Sequence, residues 1–291
     1  RKFVVWAMIG LAGVIVTVDI MGVDERYIND EKWHNEAPTE VKPTAAYREI
    51  LKDKTLGYRV FDIDHQGTAY ASNFCRSVDG YHGAKLNRYN DVLNRYIYPV
   101  NPNVLNMLNT RYVIVNGQAK QYDPFGAAWF VGDVKMVDTP AEALDELEHN
   151  DLWETAIVER GDVEDLSTEY SGYDWAEIEL VKYAPNYLKY EYEAPEESLC
   201  VFSEIYYPEG WTAYVDGKEA DYFAVDYILR GMVLPEGKHT VEWRFRAPNW
   251  GMATTITGIA SWQILLSFVA LAAVPAIRWY INRRREQKKI E

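Results

Sequence analysis

The chain has 291 residues, a formal net charge of −14 and two cysteines. A chain this acidic is not expected to bind nucleic acid through bulk charge, and its length allows two modest domains with their own cores. The cysteines, Cys75 and Cys200, fit no zinc-ligand spacing. In an oxidising compartment they would pair, and otherwise each is a small buried hydrophobe. The sequence leaves both interpretations open.

The first segment, residues 1–23, is predicted to be a membrane-spanning helix. Arg1 and Lys2 precede an uncharged run that continues to Val18, and basic residues beside a span stay in the cytoplasm. A signal peptide is the alternative, because it also has a short apolar core behind a basic start. No small-x-small cleavage site precedes Asp24, which favours the membrane helix. Since the chain does not begin with Met, we expect it to be part of a longer protein.

The segment 24–175 is predicted to be an extracytoplasmic α+β domain. A polar connector leads from the first span into short helical and strand patterns that alternate along the chain. Asn101 and Thr139 each precede a proline and are predicted to cap helices. A hairpin is predicted across Gly132-Asp133, joining strands at 128–131 and 134–137. The remaining predicted elements are a helix at 45–53 and strands at 58–63, 111–115 and 156–158.

Within this domain, a glycine-flanked loop is followed by a predicted helix rich in basic and aromatic residues. Gly80 and Gly83 permit unusual backbone angles and the close approach of a ligand. The basic and aromatic residues that follow lie three or four positions apart and so share the helix face beside the loop, a setting that favours anions. The alternative is a simple turn with a solvated basic face. The candidate substrate-binding residues here are Tyr81, His82, Lys85, Arg88 and Tyr89.

Two other patterns bear on whether the chain contains a metal site or a hydrolase site. Asp62, Asp64 and His65 contain metal-ligating groups, but no further cluster follows at ligand spacing, so a polar strand edge is favoured and no metal or cofactor is expected. The chain also lacks a nucleophile-plus-base pattern, which argues against a soluble hydrolase. Aromatic residues make up 14% of the chain, and a few tryptophans are candidate sugar platforms, although most are expected in cores or interfaces. These candidates are Trp129, Trp211 and Trp250.

The segment 176–250 is predicted to be an antiparallel β-sandwich or jelly-roll-like domain. Apolar and polar residues alternate with period two in successive short segments. Asp216-Gly217 is a strong signal for a hairpin turn, and Pro235-Glu-Gly237 precedes the last strand. Regular short strands without intervening helices are typical of sandwiches and jelly rolls.

The segment 251–281 is predicted to be the second membrane-spanning helix. Its residues 253–277 carry no charge, and this run is long enough to cross the hydrocarbon core with some tilt. The tail at 282–291 is rich in Arg and Lys and is placed in the cytoplasm. We therefore expect both termini in the cytoplasm and the central region outside.

Several stretches, in this order, resemble the YfhO family of bacterial membrane proteins. They are DERYIND at 24–30, GYHGAKLNRY at 80–89, LNTRYVI at 108–114, AWFV at 128–131, YYPEGW at 206–211, VDG at 215–217, LRG at 229–231 and LPEGKH at 234–239. Ala127 and Asp79 depart from the family pattern, where Asn and Gly are usual. The resemblance spans nearly the whole chain.

This resemblance implies the C-terminal part of a polytopic protein similar to GT-C glycosyltransferases, located in the bacterial inner membrane. Such proteins use lipid-phosphate-linked sugars on the outer face, with a catalytic carboxylate in an early loop that this chain lacks. The expected role is therefore assistance in sugar transfer to an envelope glycan or polymer, with Arg230 joining the candidate site. The expected partners are the bilayer, the carrier lipid, the glycan and the N-terminal membrane helices of the parent protein. The alternative is a non-catalytic, membrane-anchored glycan-binding or structural module.

Overall fold

The computed structural model describes residues 2–27, 41–163 and 166–287, and the chain separates into two compact units, Arg1–Thr44 and Ala45–Glu291. The first unit contains a single described element, helix α1 (Lys2–Tyr27). Arg1 lies outside the described residues. The predicted span at 1–23 falls on α1, and its crossing of a membrane stays a prediction.

The second unit contains the other helices and all the described strands. The helices are α2 (Ala45–Ile50), α3 (Asn87–Val92), α4 (Pro102–Met107), α5 (Pro140–His149) and α6 (Trp250–Gln287). The strands are β1 (Arg59–Asp62), β2 (Thr110–Val115), β3 (Gln118–Gln121), β4 (Ala128–Val131), β5 (Asp133–Val137), β6 (Thr155–Glu159), β7 (Glu177–Ala184), β8 (Tyr187–Ala194), β9 (Ser198–Ile205), β10 (Trp211–Val215), β11 (Lys218–Ala220), β12 (Phe223–Val225), β13 (Leu229–Leu234) and β14 (Gly237–Phe245).

Helix α6 is the candidate membrane-spanning helix in the described part of the chain. Its stretch Trp250–Arg285 is long and apolar enough to cross a bilayer, and no other helix among the described residues meets the same test. The threonine and serine hydroxyls along α6 donate to backbone carbonyls one turn back, as Ser261 does to Thr257 at 2.8 Å. This internal bonding satisfies the hydroxyl groups without water, as an apolar environment requires.

The strands form four sheets, which confirms a mixed α+β fold with several antiparallel sheets. Their orders are β1-β2-β3, β11-β10-β14-β8-β7, β12-β13-β9-β4 and β5-β6. The β1–β2 and β5–β6 pairs are parallel, and the other pairs are antiparallel. Strand β4 comes from the predicted α+β segment, yet it pairs with β9 of the following segment.

The two larger sheets contact each other through aromatic side chains. Phe202 of β9 lies with its ring centroid 5.1 Å from that of Tyr190 on β8 and 5.2 Å from that of Trp243 on β14, both edge to face. All three side chains are fully buried. Such edge-to-face pairs add to the stabilisation from buried apolar area. The contact makes one hydrophobic core from the inner faces of both sheets.

The predicted helix caps and the hairpin turn are confirmed. The Asn101 side chain accepts from Val104 N at 3.2 Å at the start of α4, and the Thr139 hydroxyl accepts from Glu142 N at 3.2 Å at the start of α5. Asp216-Gly217 joins β10 to β11 with both φ angles positive, as a type I′ turn requires.

The predicted hairpin across Gly132-Asp133 is wrong. Strand β4 pairs with β9, whereas β5 turns away and pairs in parallel with β6. The backbone N–H groups of Gly132 and Asp133 both donate to the carbonyl of Glu154, each at 3.0 Å. These bonds hold the two residues against the chain entering β6, so the strands on either side separate instead of pairing.

A buried carboxyl group, that of Asp226, links the β12–β13 turn to β6. Asp226 N donates to Ile157 O at 2.8 Å, and Asp226 Oδ1 accepts from Ile157 N at 2.9 Å. Its Oδ2 has no hydrogen-bond partner among the described residues. Burial raises the pKa of Asp226 to about 7. The folded state therefore retains a proton that the unfolded chain releases near pH 4.

We expect the free energy of unfolding to fall as the pH rises from about 4 to about 7, because the unfolded chain loses the Asp226 proton first. The shift from 3.8 to about 7 corresponds to roughly 4 kcal/mol. Asp226→Asn keeps the acceptor oxygen, tolerates the positive φ and removes this pH dependence. Urea unfolding in detergent micelles, followed by tryptophan fluorescence between pH 4.5 and 8, measures it. The exposed Asp221→Asn is the matched control. If D226N and the wild type lose stability in parallel as the pH rises, the pH dependence does not come from Asp226.

Candidate functional site

The loop that carries the predicted site is anchored by backbone pairing and by one carboxylate. Val78 N donates to Val60 O at 3.1 Å, which ties the loop to β1. The Asp79 carboxylate accepts from Gly67 N at 2.8 Å and from the Ser77 hydroxyl at 2.9 Å. Burial raises the pKa of Asp79, although these hydrogen bonds oppose the shift. The start of the loop is therefore fixed in place before the candidate residues begin.

Four of the six candidate residues line one cavity of about 330 Å³, here called the loop cavity. They are Tyr81, His82, Lys85 and Tyr89. Arg59 and Ile205 contribute to the same wall from the core side. The structure thus brings most of the predicted site together.

Lys85 is a cation of the loop cavity that makes no ion pair with any described residue. Its side chain is half-buried, and the Asp79 carboxylate, which lines the same cavity, interacts with it electrostatically without an ion-pair contact. Tyr81 is 81% exposed at the mouth. The His82 ring is oriented by the backbone of Ala84, whose N and O lie 3.1 and 3.0 Å from Nδ1. An unpaired ammonium beside these polar groups suits an anion.

The prediction that Lys85 shares a helix face with Arg88 and Tyr89 is wrong. Helix α3 begins at Asn87 and its N-cap is Leu86, so Lys85 precedes the helix. Leu86 has no side-chain oxygen with which to cap the helix. The position of Lys85 in the cavity is set by the loop instead.

Arg88 points away from the loop cavity and is neutralised by Glu159. Its two terminal nitrogens bind the two carboxylate oxygens of Glu159, and Nη1 also donates to Tyr227 O at 3.2 Å. The guanidinium lies 4.9 Å from the centre of the Tyr227 ring. This paired arginine lines a second cavity rather than adding charge to the first.

The second cavity, here called the tyrosine cavity, has a volume of about 320 Å³ and shares the side chains of Tyr89 and Ile205 with the loop cavity. The Tyr89 hydroxyl donates to Val78 O, and burial raises the pKa of Tyr89 to about 12. Tyr89 is therefore a neutral wall between the two cavities. Tyr206 and Asp162 are among the other residues of this cavity.

Beneath the loop cavity, one carboxylate faces several arginines. Glu204 Oε1 lies 3.2 Å from Arg59 Nη2 and 2.7 Å from Arg76 Nη2. Burial alone would raise the pKa of Glu204, but the guanidinium groups of Arg59, Arg76 and Arg230 outweigh it and the pKa is lowered. Glu204 is thus ionised and connects β9 to β1 and to the segment before the loop.

Arg230, the sixth candidate residue, is buried in this cluster and lines neither cavity. It is 3% exposed and lies 4.4 and 4.8 Å from the ring centres of Trp211 and Trp243. Its Nε donates to Ile205 O at 3.0 Å, so it supports the residue that lines both cavities. Its Nη1 has no hydrogen-bond partner among the described residues.

The three candidate tryptophan platforms have different surroundings. Trp129 is 2% exposed and its indole N–H donates to Leu152 O at 3.0 Å, so it belongs to the core. One face of Trp211 is covered by Arg230. Trp250 is 68% exposed at the start of α6, a position that suits an interfacial anchor.

The Asp62 constellation forms a turn rather than a cluster of ligands. The Asp62 carboxylate accepts from the Tyr47 hydroxyl at 2.5 Å and lies 2.9 Å from His65 Nδ1. Its Oδ1 also accepts from the backbone N of Asp64 at 3.1 Å. In residues 2–27, 41–163 and 166–287, no three His, Cys, Asp or Glu side chains are grouped so as to hold a metal ion. Both cysteines are unpaired, with Cys200 buried and Cys75 partly buried.

Sequence reasoning missed several residues of the two cavities. Arg59 and Asp79 both line the loop cavity, whereas the sequence predicts only a strand at Arg59 and only a departure from the family pattern at Asp79. Asp162 and Tyr206 lie more than seventy residues from the loop, and no local pattern associates them with it. Two signals could have identified residues of this group: the proximity of Asp79 to the glycine-flanked loop and the position of Tyr206 in the family-like stretch at 206–211.

Comparison with known protein families gives a match in the second half of the chain. Residues 153–257 match the family model described as bacterial membrane protein YfhO. No curated protein and no solved structure matches the chain. The resemblance to this family is confirmed, and the matched residues include Glu204, Arg230 and the part of the tyrosine cavity that follows residue 153.

Glu204→Gln should lower the free energy of unfolding by about 3 kcal/mol, because it leaves buried guanidinium groups without a counter-charge while keeping the side-chain volume. Urea unfolding in detergent micelles measures the change. Glu209→Gln, at an exposed position without an ion pair, is the control. Equal stability of the E204Q and E209Q variants would show that the arginines do not depend on Glu204.

Proposed function

From the YfhO segment that this chain carries, we propose that it is the C-terminal, mainly extracytoplasmic part of a polytopic protein of the bacterial inner membrane. The two flanking spans are residues 1–23 and 251–281, and the basic tail at 282–291 is cytoplasmic. The family match and the apolar length of α6 support membrane attachment. The basic residues at both ends support the orientation.

The extracytoplasmic part consists, in this proposal, of an α+β domain at 24–175 and a β-sandwich or jelly-roll-like domain at 176–250. The contact of the two larger sheets through Phe202, Tyr190 and Trp243 supports the sandwich. The pairing of β4 with β9 joins the two domains through a shared sheet.

The proposed activity is to assist the transfer of a sugar from a lipid-phosphate carrier to an envelope glycan or polymer. The observation that carries it is the unpaired Lys85 in a cavity lined by Tyr81 and His82. In a chain of net charge −14, this half-buried cation makes no ion pair with any described residue. A phosphate group supplies a direct ion-pair partner, and it would accept hydrogen bonds from the ammonium and the tyrosine hydroxyl.

The chain contributes binding rather than bond cleavage in this proposal. Arg88 is held by Glu159 and Tyr89 donates to a backbone carbonyl, so both shape the site without acting on a ligand directly. Arg230 supports Ile205 through a hydrogen bond to its backbone carbonyl. The catalytic carboxylate is assigned to an early extracytoplasmic loop between the N-terminal membrane helices of the parent protein, and no cofactor is required.

Lys85→Gln should weaken binding of a polyprenyl phosphate about tenfold, because it removes one charge-assisted contact to the phosphate. The chain is reconstituted in neutral lipid nanodiscs, and binding of the polyprenyl phosphate is measured against the uncharged polyprenol. Lys218→Gln makes the same charge change at an exposed strand position and should leave binding unchanged. Equal loss in both variants would mean that only bulk charge matters.

A non-catalytic glycan-binding or structural module is the competing function. Sugar transfer by the full-length parent protein distinguishes it. Loss of transfer in the Lys85→Gln variant supports the assisting role, whereas normal transfer with weakened binding supports the module.

A further inference from the structure

The tyrosine cavity contains polar groups that the fold does not use. The Tyr206 hydroxyl, the Asn87 amide and the Asp162 carboxylate line it, and none of these side-chain groups makes a hydrogen bond with another described residue. The Tyr206 ring lies 5.7 Å from the Tyr222 ring, and its backbone N donates to Ile228 O at 2.7 Å. The ring is therefore held in place while the hydroxyl remains available.

The charge balance of the tyrosine cavity differs from that of the loop cavity. Arg88 is engaged by both oxygens of Glu159, so it offers no free positive charge to a ligand. Burial and the nearby Glu159 raise the pKa of Asp162, and no other carboxyl lines the cavity. A cavity with one carboxyl and no free cation disfavours a phosphate and favours a neutral, hydroxyl-rich ligand.

The remaining surface of the cavity is apolar. Ile205, Ala224 and Ile228 lie between the polar groups, and the tyrosine rings add flat faces. A pyranose ring has the same division, with C–H groups on its faces and hydroxyls at its edge. Aromatic and aliphatic side chains cover the faces, while Asp, Asn and Tyr side chains bond the hydroxyls. The volume of about 320 Å³ is near the lower end of ligand sites, which suits one sugar ring.

We propose that the tyrosine cavity binds one neutral sugar residue, with Asp162 and Asn87 bonding its hydroxyls and Tyr206 contributing its hydroxyl and ring. This inference rests on the proposed function, because it names the carbohydrate part of the same site. Tyr89 and Ile205 form the wall shared with the loop cavity, so the phosphate and sugar sites are adjacent.

The test uses the full chain in nanodiscs and four free sugars: glucose, galactose, mannose and N-acetylglucosamine. Saturation-transfer NMR detects which of them binds. Asp162→Asn and Tyr206→Phe each remove one hydrogen-bonding function at nearly constant volume, and each should weaken binding about five- to tenfold. Asp174→Asn and Tyr207→Phe are the matched controls at exposed positions and should bind as the wild type does.

Absence of saturation transfer from the wild type to any of the four sugars would overturn the inference, as would unchanged binding in both D162N and Y206F. The phosphate measurement separates this outcome from failure of the proposed function. If the chain binds no sugar but binds polyprenyl phosphate in a Lys85-dependent manner, the proposed function is retained. Asp162-dependent sugar binding without Lys85-dependent phosphate binding supports the sugar site and contradicts the phosphate site.

Discussion

The ion pairs of Glu204 with Arg59 and Arg76 are the contacts on which the candidate site depends. They join β9 to β1 and to the segment that leads into the glycine-flanked loop. Arg59 also lines the loop cavity, and the next residue after Glu204, Ile205, lines both cavities. Because buried charges are costly unless they are paired, this carboxylate fixes the arginines in one arrangement. The cluster thus contributes Arg59 to the wall of the loop cavity and holds Ile205, which lines both cavities.

The same cluster shows how a buried excess of positive charge is tolerated. Three guanidinium groups act on a single carboxylate, and Arg230 obtains further stabilisation from the faces of Trp211 and Trp243. Aromatic rings here replace additional carboxylates. In the tyrosine cavity the balance is different, since Arg88 is paired with both carboxylate oxygens of Glu159. Neighbouring cavities therefore differ in charge, and this difference is the basis for proposing a phosphate ligand for one and a neutral sugar for the other.

The two cavities combine regions that are far apart in the chain. The loop at 80–89 lies outside the matched family segment, whereas Asp162, Tyr206 and Glu204 lie inside it. The β4–β9 pairing and the Glu204 ion pairs bring the regions together. A family match over residues 153–257 therefore covers one side of the site, and the other side is supplied by the preceding α+β region.

Helix caps and turns, which depend on neighbouring residues, could be predicted from the sequence. The caps at Asn101 and Thr139 and the Asp216-Gly217 turn depend on neighbouring residues, and each was predicted correctly. Period-two alternation likewise identified β7, β8, β9 and β14, and the glycine-flanked loop led to four residues of one cavity. Strand partners were not readable, because β4 finds its partner about seventy residues away and the hairpin across Gly132-Asp133 does not form. Only the tertiary structure decided which cation is free: Glu159 reaches Arg88 from a distant strand, and no described carboxylate pairs with Lys85.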